Sequence, residues 1–108
     1  VTFNTSEMGI GDDAIPTVFS LSQNYPNPFN PTTRIAFDLP EQAMVKMIVY
    51  NLLGQQVNVL TNRHMNAGHH VLDWNGMDAN GNSVASGVYF YELRAGDFDA
   101  KKKMLLLR

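Results

Sequence analysis

Residues that could carry chemistry are few and badly spaced for it. His69 and His70 are neighbours in the chain. On a strand, adjacent side chains leave opposite faces, so the pair cannot share a metal ion. His64 has no acid at ligand spacing, and Ser83 and Ser86 lack the Gly-x-Ser-x-Gly elbow of a nucleophile. Asn80-Gly81-Asn82 is not a phosphate loop, because no Lys-Ser/Thr pair and no helix follow it. Asp78, Asn80 and Asn82 alternate as oxygen ligands do at the start of a calcium loop. Such a loop needs glycine at its sixth position and a bidentate acid at its twelfth. Here Gly81 stands fourth and Tyr89 twelfth, so a tight Asn-Gly turn is the expectation, and loss of the Asp78 carboxylate is expected to cost little. Trp74, the single tryptophan, is expected in the core; a sugar-stacking position on an exposed face is the rival. The sequon Asn4-Thr5-Ser6 reads as chance. A non-enzymatic chain without cofactor or metal is the expectation.

What must hold such residues is bounded by composition. The chain has 108 residues and a formal net charge of −2. That length makes one domain, with enough surface to bury for a single core. Hydrophobic residues make up 44% and charged residues 17%, so neither disorder nor a collagen-like repeat applies. Eleven asparagines and eight glycines stand against only three glutamates, and 30 residues are Val, Ile, Thr, Tyr, Phe or Trp. This mixture favours strands cut by turns. Eight basic residues are too few for a broad nucleic-acid surface, and no apolar run is long enough for membrane insertion. With no cysteine, disulfides and thiolate sites are excluded. The chain starts at Val1 with no signal-like segment, so it is expected to be covalently part of a larger parent chain.

Residues 1–17 carry Gly9, Gly11, Asp12, Asp13 and Pro16 without sustained periodicity and are expected to form a linker or N-terminal arm. Residues 18–108 hold seven strand-like runs. A short edge piece covers Val18 to Ser22, and Arg34 to Leu39 alternates with Ile35, Phe37 and Leu39 on one face. Met44 to Asn51 is apolar on both faces, as a central strand would be. A turn at Leu52-Leu53-Gly54 leads to Gln55 to Leu60, with Val57 and Val59 expected inward. Gly68 to Trp74 places His70, Leu72 and Trp74 on one side. Gly87 to Ala95 places Tyr89, Tyr91, Leu93 and Ala95 together, with Glu92 and Arg94 expected exposed opposite. Phe98 to Arg108 is the last. Seven short strands with turns about every ten residues predict an all-β, Ig-like antiparallel β-sandwich.

Between the first two runs lies NYPNPFNPTT, Asn24 to Thr33. Pro26, Pro28 and Pro31 fix their own φ angles and push the residues before them into extended geometry. Asn27 and Asn30 can each bond forward to the backbone and hold a turn, while Tyr25 and Phe29 supply apolar anchors. A structural lead-in to the next strand is expected, against a ligand-binding proline motif. The segment LSQNYPNPFNPTT closely resembles the opening of the type A C-terminal sorting domain of the type IX secretion system, a family related to the Ig-like module of flagellar hook-capping proteins. VYNLLGQQV resembles that family's strand–turn–strand, closed by a glycine such as Gly54, where φ > 0 suits glycine. DWNGMDANGNSVASGVYFYELRAG is similar to its Trp-Asn-Gly segment, Asp-containing turn and Gly-Val-Tyr strand, here Trp74, Gly76, Asp78, Gly81, Gly87 and Tyr89. KKKMLLLR resembles its basic-then-apolar terminal strand.

The resemblance implies a non-catalytic sorting domain recognised by the type IX machinery as a folded module. It implies a parent protein passing through the periplasm and across the outer membrane to the medium or the cell surface. A carbohydrate-binding or stabilising accessory module of a secreted enzyme is the alternative. On the terminal strand, Lys101, Lys103, Leu105 and Leu107 alternate with Lys102, Met104, Leu106 and Arg108. Both rows pass from basic to apolar, so one exceeds what a one-sided core absorbs. If that strand is an edge, Lys103, Met104, Leu105, Leu106, Leu107 and Arg108 offer a surface for strand addition by a partner. An ordinary buried strand ending in solubilising charge is the other reading of the same residues.

Overall fold

The computed structural model describes residues 14–108; the first thirteen residues of the expected arm at 1–17, and the sequon, lie outside the described residues. Period-two alternation produces seven strands: β1 (Ser20–Leu21), β2 (Thr33–Leu39), β3 (Ala43–Asn51), β4 (Gln56–Met65), β5 (Gly68–Trp74), β6 (Gly87–Ala95) and β7 (Phe98–Leu106). They form a three-stranded sheet, β1-β2-β5, and a four-stranded sheet, β4-β3-β6-β7, with every pair of neighbours antiparallel. This is the expected Ig-like sandwich.

The inner faces meet in one core. Ile35, Phe37 and Leu39 of β2 oppose Val45, Met47 and Val49 of β3 and Tyr91, Leu93 and Ala95 of β6, all fully buried. As expected, β3 is central and apolar on both faces: Ile48 is buried although it lies outside the inter-sheet cluster. His69 and His70 do point opposite ways. His70 stacks on the Phe37 ring at 5.4 Å, and His69 Nδ1 meets Asp38 Oδ1 at 2.6 Å on the exposed side.

Five expectations need correction. The edge piece at Val18 to Ser22 shortens to two residues, and β7 ends at Leu106. β4 runs on to Met65, five residues beyond Leu60. Its second half, Thr61 to His64, is polar, and an outer edge strand tolerates that. Register shifts opposite Met47/Ile48 and Val49/Tyr50 also bulge β4. Val57 and Leu60 therefore pack against the core, while Val59 pairs with Ile48, which lies outside the core cluster. Glu92, expected exposed, is buried at 8% relative exposure. It lies mid-sheet between Ile48 and Lys101, where cross-strand neighbours cover it.

Candidate functional site

The proline-rich segment is built from the inside out. Asn24 and Thr33 are almost completely buried polar residues. Asn24 Nδ2 donates to Thr33 Oγ1 (2.9 Å) and to the Pro26 carbonyl (3.1 Å), and Thr33 Oγ1 donates to that same carbonyl (2.8 Å). The Asn24 amide donates to the Tyr91 hydroxyl (2.8 Å), which itself donates to the Ser22 carbonyl (2.7 Å). Buried polar groups are thus satisfied by one another, which is the condition for carrying them in a core. Burial raises the Tyr91 pKa to about 12, the Asn24 N–H lowering it only in part. Tyr91 therefore remains a neutral donor.

The far half of the segment lies along the terminal strand. Phe29 donates its amide to the Leu105 carbonyl (3.0 Å), and the Leu107 amide donates to the Phe29 carbonyl (2.9 Å). Asn27 Oδ1 accepts from the Leu105 amide (3.0 Å), and Gln23 Nε2 donates to the Lys103 carbonyl (2.7 Å). The Phe29 ring is buried against Trp74 at 5.8 Å, and Trp74 meets Tyr89 edge-on at 5.4 Å. Trp74 is 1% exposed and donates from Nε1 to the Met77 carbonyl, so it is a core residue and no sugar platform. Arg108 closes the corner. Its Nη2 donates to the Gly76 carbonyl (2.6 Å) and its Nε to the Val84 carbonyl (2.7 Å). A Cβ on Gly76 would stand 2.7 Å from Arg108 Nη2 and 3.2 Å from the Pro31 carbonyl, and φ there is 74°. Only glycine fits.

The six residues singled out on the last strand therefore divide. Met104 and Leu106 are core, and Arg108 binds the protein's own carbonyls. Lys103, Leu105 and Leu107 share the outer face, Leu107 at 48% exposure. β7 is an edge, as its composition suggests. Its C-terminal half is nevertheless covered by Asn27 and Phe29. The outward backbone groups of Asp99 and Lys101, and the Lys103 amide, are reached by no hydrogen bond among the described residues. Lysines on such an edge oppose self-pairing.

Beside this row, the outer face of the larger sheet holds a cleft of about 370 Å³ lined by Tyr50, Leu52, Phe90, Glu92, Arg94 and Lys101, among others. The hairpin turn overhangs it, with Gly54 at φ 82° and Leu52 and Leu53 exposed. Tyr50 donates to Glu92 Oε1 (2.8 Å), Arg94 Nη2 lies 3.2 Å from the same oxygen, and Lys101 Nζ stands 5.4 Å from the Tyr50 ring centre. Burial alone would raise the Glu92 pKa, but hydrogen bonds with Tyr50, Asp99 and Arg94 outweigh it and hold the carboxyl below its ordinary value. Asp99 is raised, first by its hydrogen bond with Glu92. Burial and the Glu92 hydrogen bond raise Tyr50. This polar cluster was invisible in the sequence, because its members come from three strands; the cross-strand register alone could have found it.

The Asp78 loop is a turn closed by its own carboxylate. Asp78 Oδ1 accepts from the amides of Asn80 (2.9 Å) and Asn82 (3.0 Å), and the Asp78 amide donates to the Asn82 carbonyl (2.8 Å). The alternating oxygens are thus spent on backbone. The expectation that Asp78 is dispensable is revised, since two amides depend on it. Gly87 opens β6, and Tyr89 donates to the Ala85 carbonyl (2.7 Å), fixing the approach to that strand.

Solved structures place this geometry among known modules. The sandwich is similar to part of dimeric latent PorU from Porphyromonas gingivalis: TM-score 0.66, 16% identity, covering 79% of this chain and 9% of that one. It is also similar to part of PorZ from the same organism, an essential bacterial surface component of the type-IX secretion system: TM-score 0.55, 22% identity, covering 83% and 11%. At those identities the likeness is one of fold, and the chain spans about a tenth of either protein. FlgD from P. aeruginosa matches with TM-score 0.55 and 25% identity over 68% of this chain and 57% of that one. No curated protein matches the chain. The model of the FlgD Ig-like domain matches residues 22–97, from the lead-in to the proline-rich segment to the β6–β7 turn. The chain belongs to the FlgD Ig-like domain family.

Proposed function

We propose that this chain is a C-terminal sorting domain that directs a larger parent protein across the outer membrane through the type IX secretion machinery, to the medium or the cell surface. One observation carries the reading. The segments that resemble sorting domains, far apart in sequence, converge on a single corner. Asn27 and Phe29 pair with Leu105 and Leu107, Trp74 packs on Phe29, and Gly76 receives Arg108. The two ends of the described chain thus form one folded surface, on which the last strand is held in a fixed position.

Recognition then belongs to the outward row Lys103, Leu105 and Leu107, continued by Lys101. Its apolar side chains supply contact area, and its lysines supply attraction to an acidic receptor. Met104, Leu106 and Arg108 act by holding that row in place. Truncation of the last four residues would remove Leu106 from the core and confound folding with export. The informative variant is Lys103→Glu with Leu105→Ser and Leu107→Ser. It should keep its thermal transition and its β-sheet circular dichroism while export of a fused reporter falls severalfold. Unchanged export by this folded variant would remove the row from recognition.

A further inference from the structure

Tyr25 is held more firmly than its side chain requires. Its amide donates to the Arg34 carbonyl (2.8 Å) and its carbonyl accepts from the Arg34 amide (2.9 Å). The buried Asn24 and Thr33 fasten the following residue, Pro26, from beneath. Yet the Tyr25 side chain contributes nothing to the core. The residue is 81% exposed, and its hydroxyl makes no hydrogen bond among the described residues. A rigid backbone thus presents a bare aromatic ring to solvent, at little further entropic cost on binding.

The ring borders a shallow cleft of about 280 Å³ shared with Pro26, Thr32, Thr33, Arg34 and Asp73. Arg34 Nε donates to Asp73 Oδ1 at 3.1 Å, with both side chains more than half exposed. The terminal amino groups of Arg34 and the second carboxylate oxygen of Asp73 take no other partner among the described residues. The cleft therefore offers an aromatic face, a fork of donors and an acceptor within one small space. Its formal charge is zero, so neither an anion nor a cation gains by entering. A protein partner would want several apolar anchors around the ring; here the rim offers Pro26 alone, with two threonines and an ion pair. A sugar ring has the complementary chemistry. Its C–H face stacks on an aromatic ring, and each hydroxyl both donates to a carboxylate and accepts from a guanidinium.

We infer that Tyr25, with Arg34 and Asp73, forms a binding site for a neutral pyranose unit of an oligosaccharide. The site is separate from the export row and holds whether or not the chain directs secretion. One aromatic face and one ion pair imply weak binding, with Kd of about 1 mM.

The test is a titration of the ¹⁵N-labelled 108-residue chain with neutral hexasaccharides of glucose, mannose, xylose and galactose, followed by amide shifts. At least one sugar should move the resonances of Tyr25, Thr32 to Arg34 and Asp73 together. Tyr25→Ala should weaken that response at least tenfold with an unchanged melting temperature, whereas Tyr25→Phe should retain it. Asp73→Asn provides a second variant, also at an exposed position, and should weaken binding. Silence with every sugar, shifts centred elsewhere, or a response that survives Tyr25→Ala would overturn the site. A proline-rich decapeptide that moves these resonances when the sugars do not would assign the cleft to a protein partner and overturn it equally.

Discussion

Tyr91 shows how one atom joins two parts of the molecule. Its hydroxyl donates to the Ser22 carbonyl and accepts the Asn24 amide, tying β6 to the entrance of the proline-rich segment. Tyr91→Phe leaves the buried Asn24 amide and the partly buried Ser22 carbonyl without their partner, at a cost of about 1–3 kcal/mol by urea unfolding. Asp78 is the surface counterpart. Asp78→Ala should cost roughly 1 kcal/mol because two turn amides lose their acceptor, and Asp78→Asn should recover most of that loss. Glu92 and Asp99 predict an acid profile. Glu92 has a lowered pKa in the folded state, so its contribution is full above the unfolded carboxylate value of about 4.3 and disappears as pH falls through the folded value. Asp99 is raised, so its contribution has the opposite sign: present at low pH and lost as pH rises. Asp99→Asn should therefore leave the domain as stable or more stable at neutral pH and remove the stabilisation that Asp99 gains as pH falls towards its unfolded value of about 3.9, making the decline steeper above that point, as melting temperatures across pH 3–7 would show. A shallower acid profile in that variant would contradict the pairing.

At the scale of elements, much was legible from alternation. β2, β5 and β6 appear in the sequence nearly as they stand, because a strand with one buried face writes period two into its side chains. The second half of β4 was not legible, since an exposed edge strand of Thr61, Asn62, Arg63 and His64 carries no apolar row. Nor were its bulges, which depend on the register against β3. The terminal strand was half legible. Its two apolar rows are plain in MLLLR, but which row faces inward follows from its pairing with β6. That the proline-rich segment would close its edge needed the structure, because Phe29 and Leu106 are distant in sequence and paired in parallel. Gly76 tests this corner. Gly76→Ala adds a methyl group where Arg108 and the Pro31 carbonyl already stand, at a positive φ. A loss of roughly 1–3 kcal/mol is expected, and Arg108→Ala made first should relieve part of it, leaving the double variant less damaged than the sum. Additive losses would mean that the corner is not a unit.

The whole molecule is a sandwich with a satisfied core, no helix among the described residues and, on one side, a controlled final strand. The fold could be read from the sequence, and the chain belongs to the FlgD Ig-like domain family; the outward row and the Tyr25 cleft could be assigned only once the strands were paired. The most direct measurement of the central claim is export of a fused reporter. The 108-residue chain is placed behind a Sec-targeted fluorescent or enzymatic reporter and expressed in a host with an intact type IX system and in an isogenic host lacking its outer-membrane channel. The account predicts reporter in the medium or on the surface of the first host and retention in the periplasm of the second. Periplasmic retention in both hosts, or equal export from both, would contradict it.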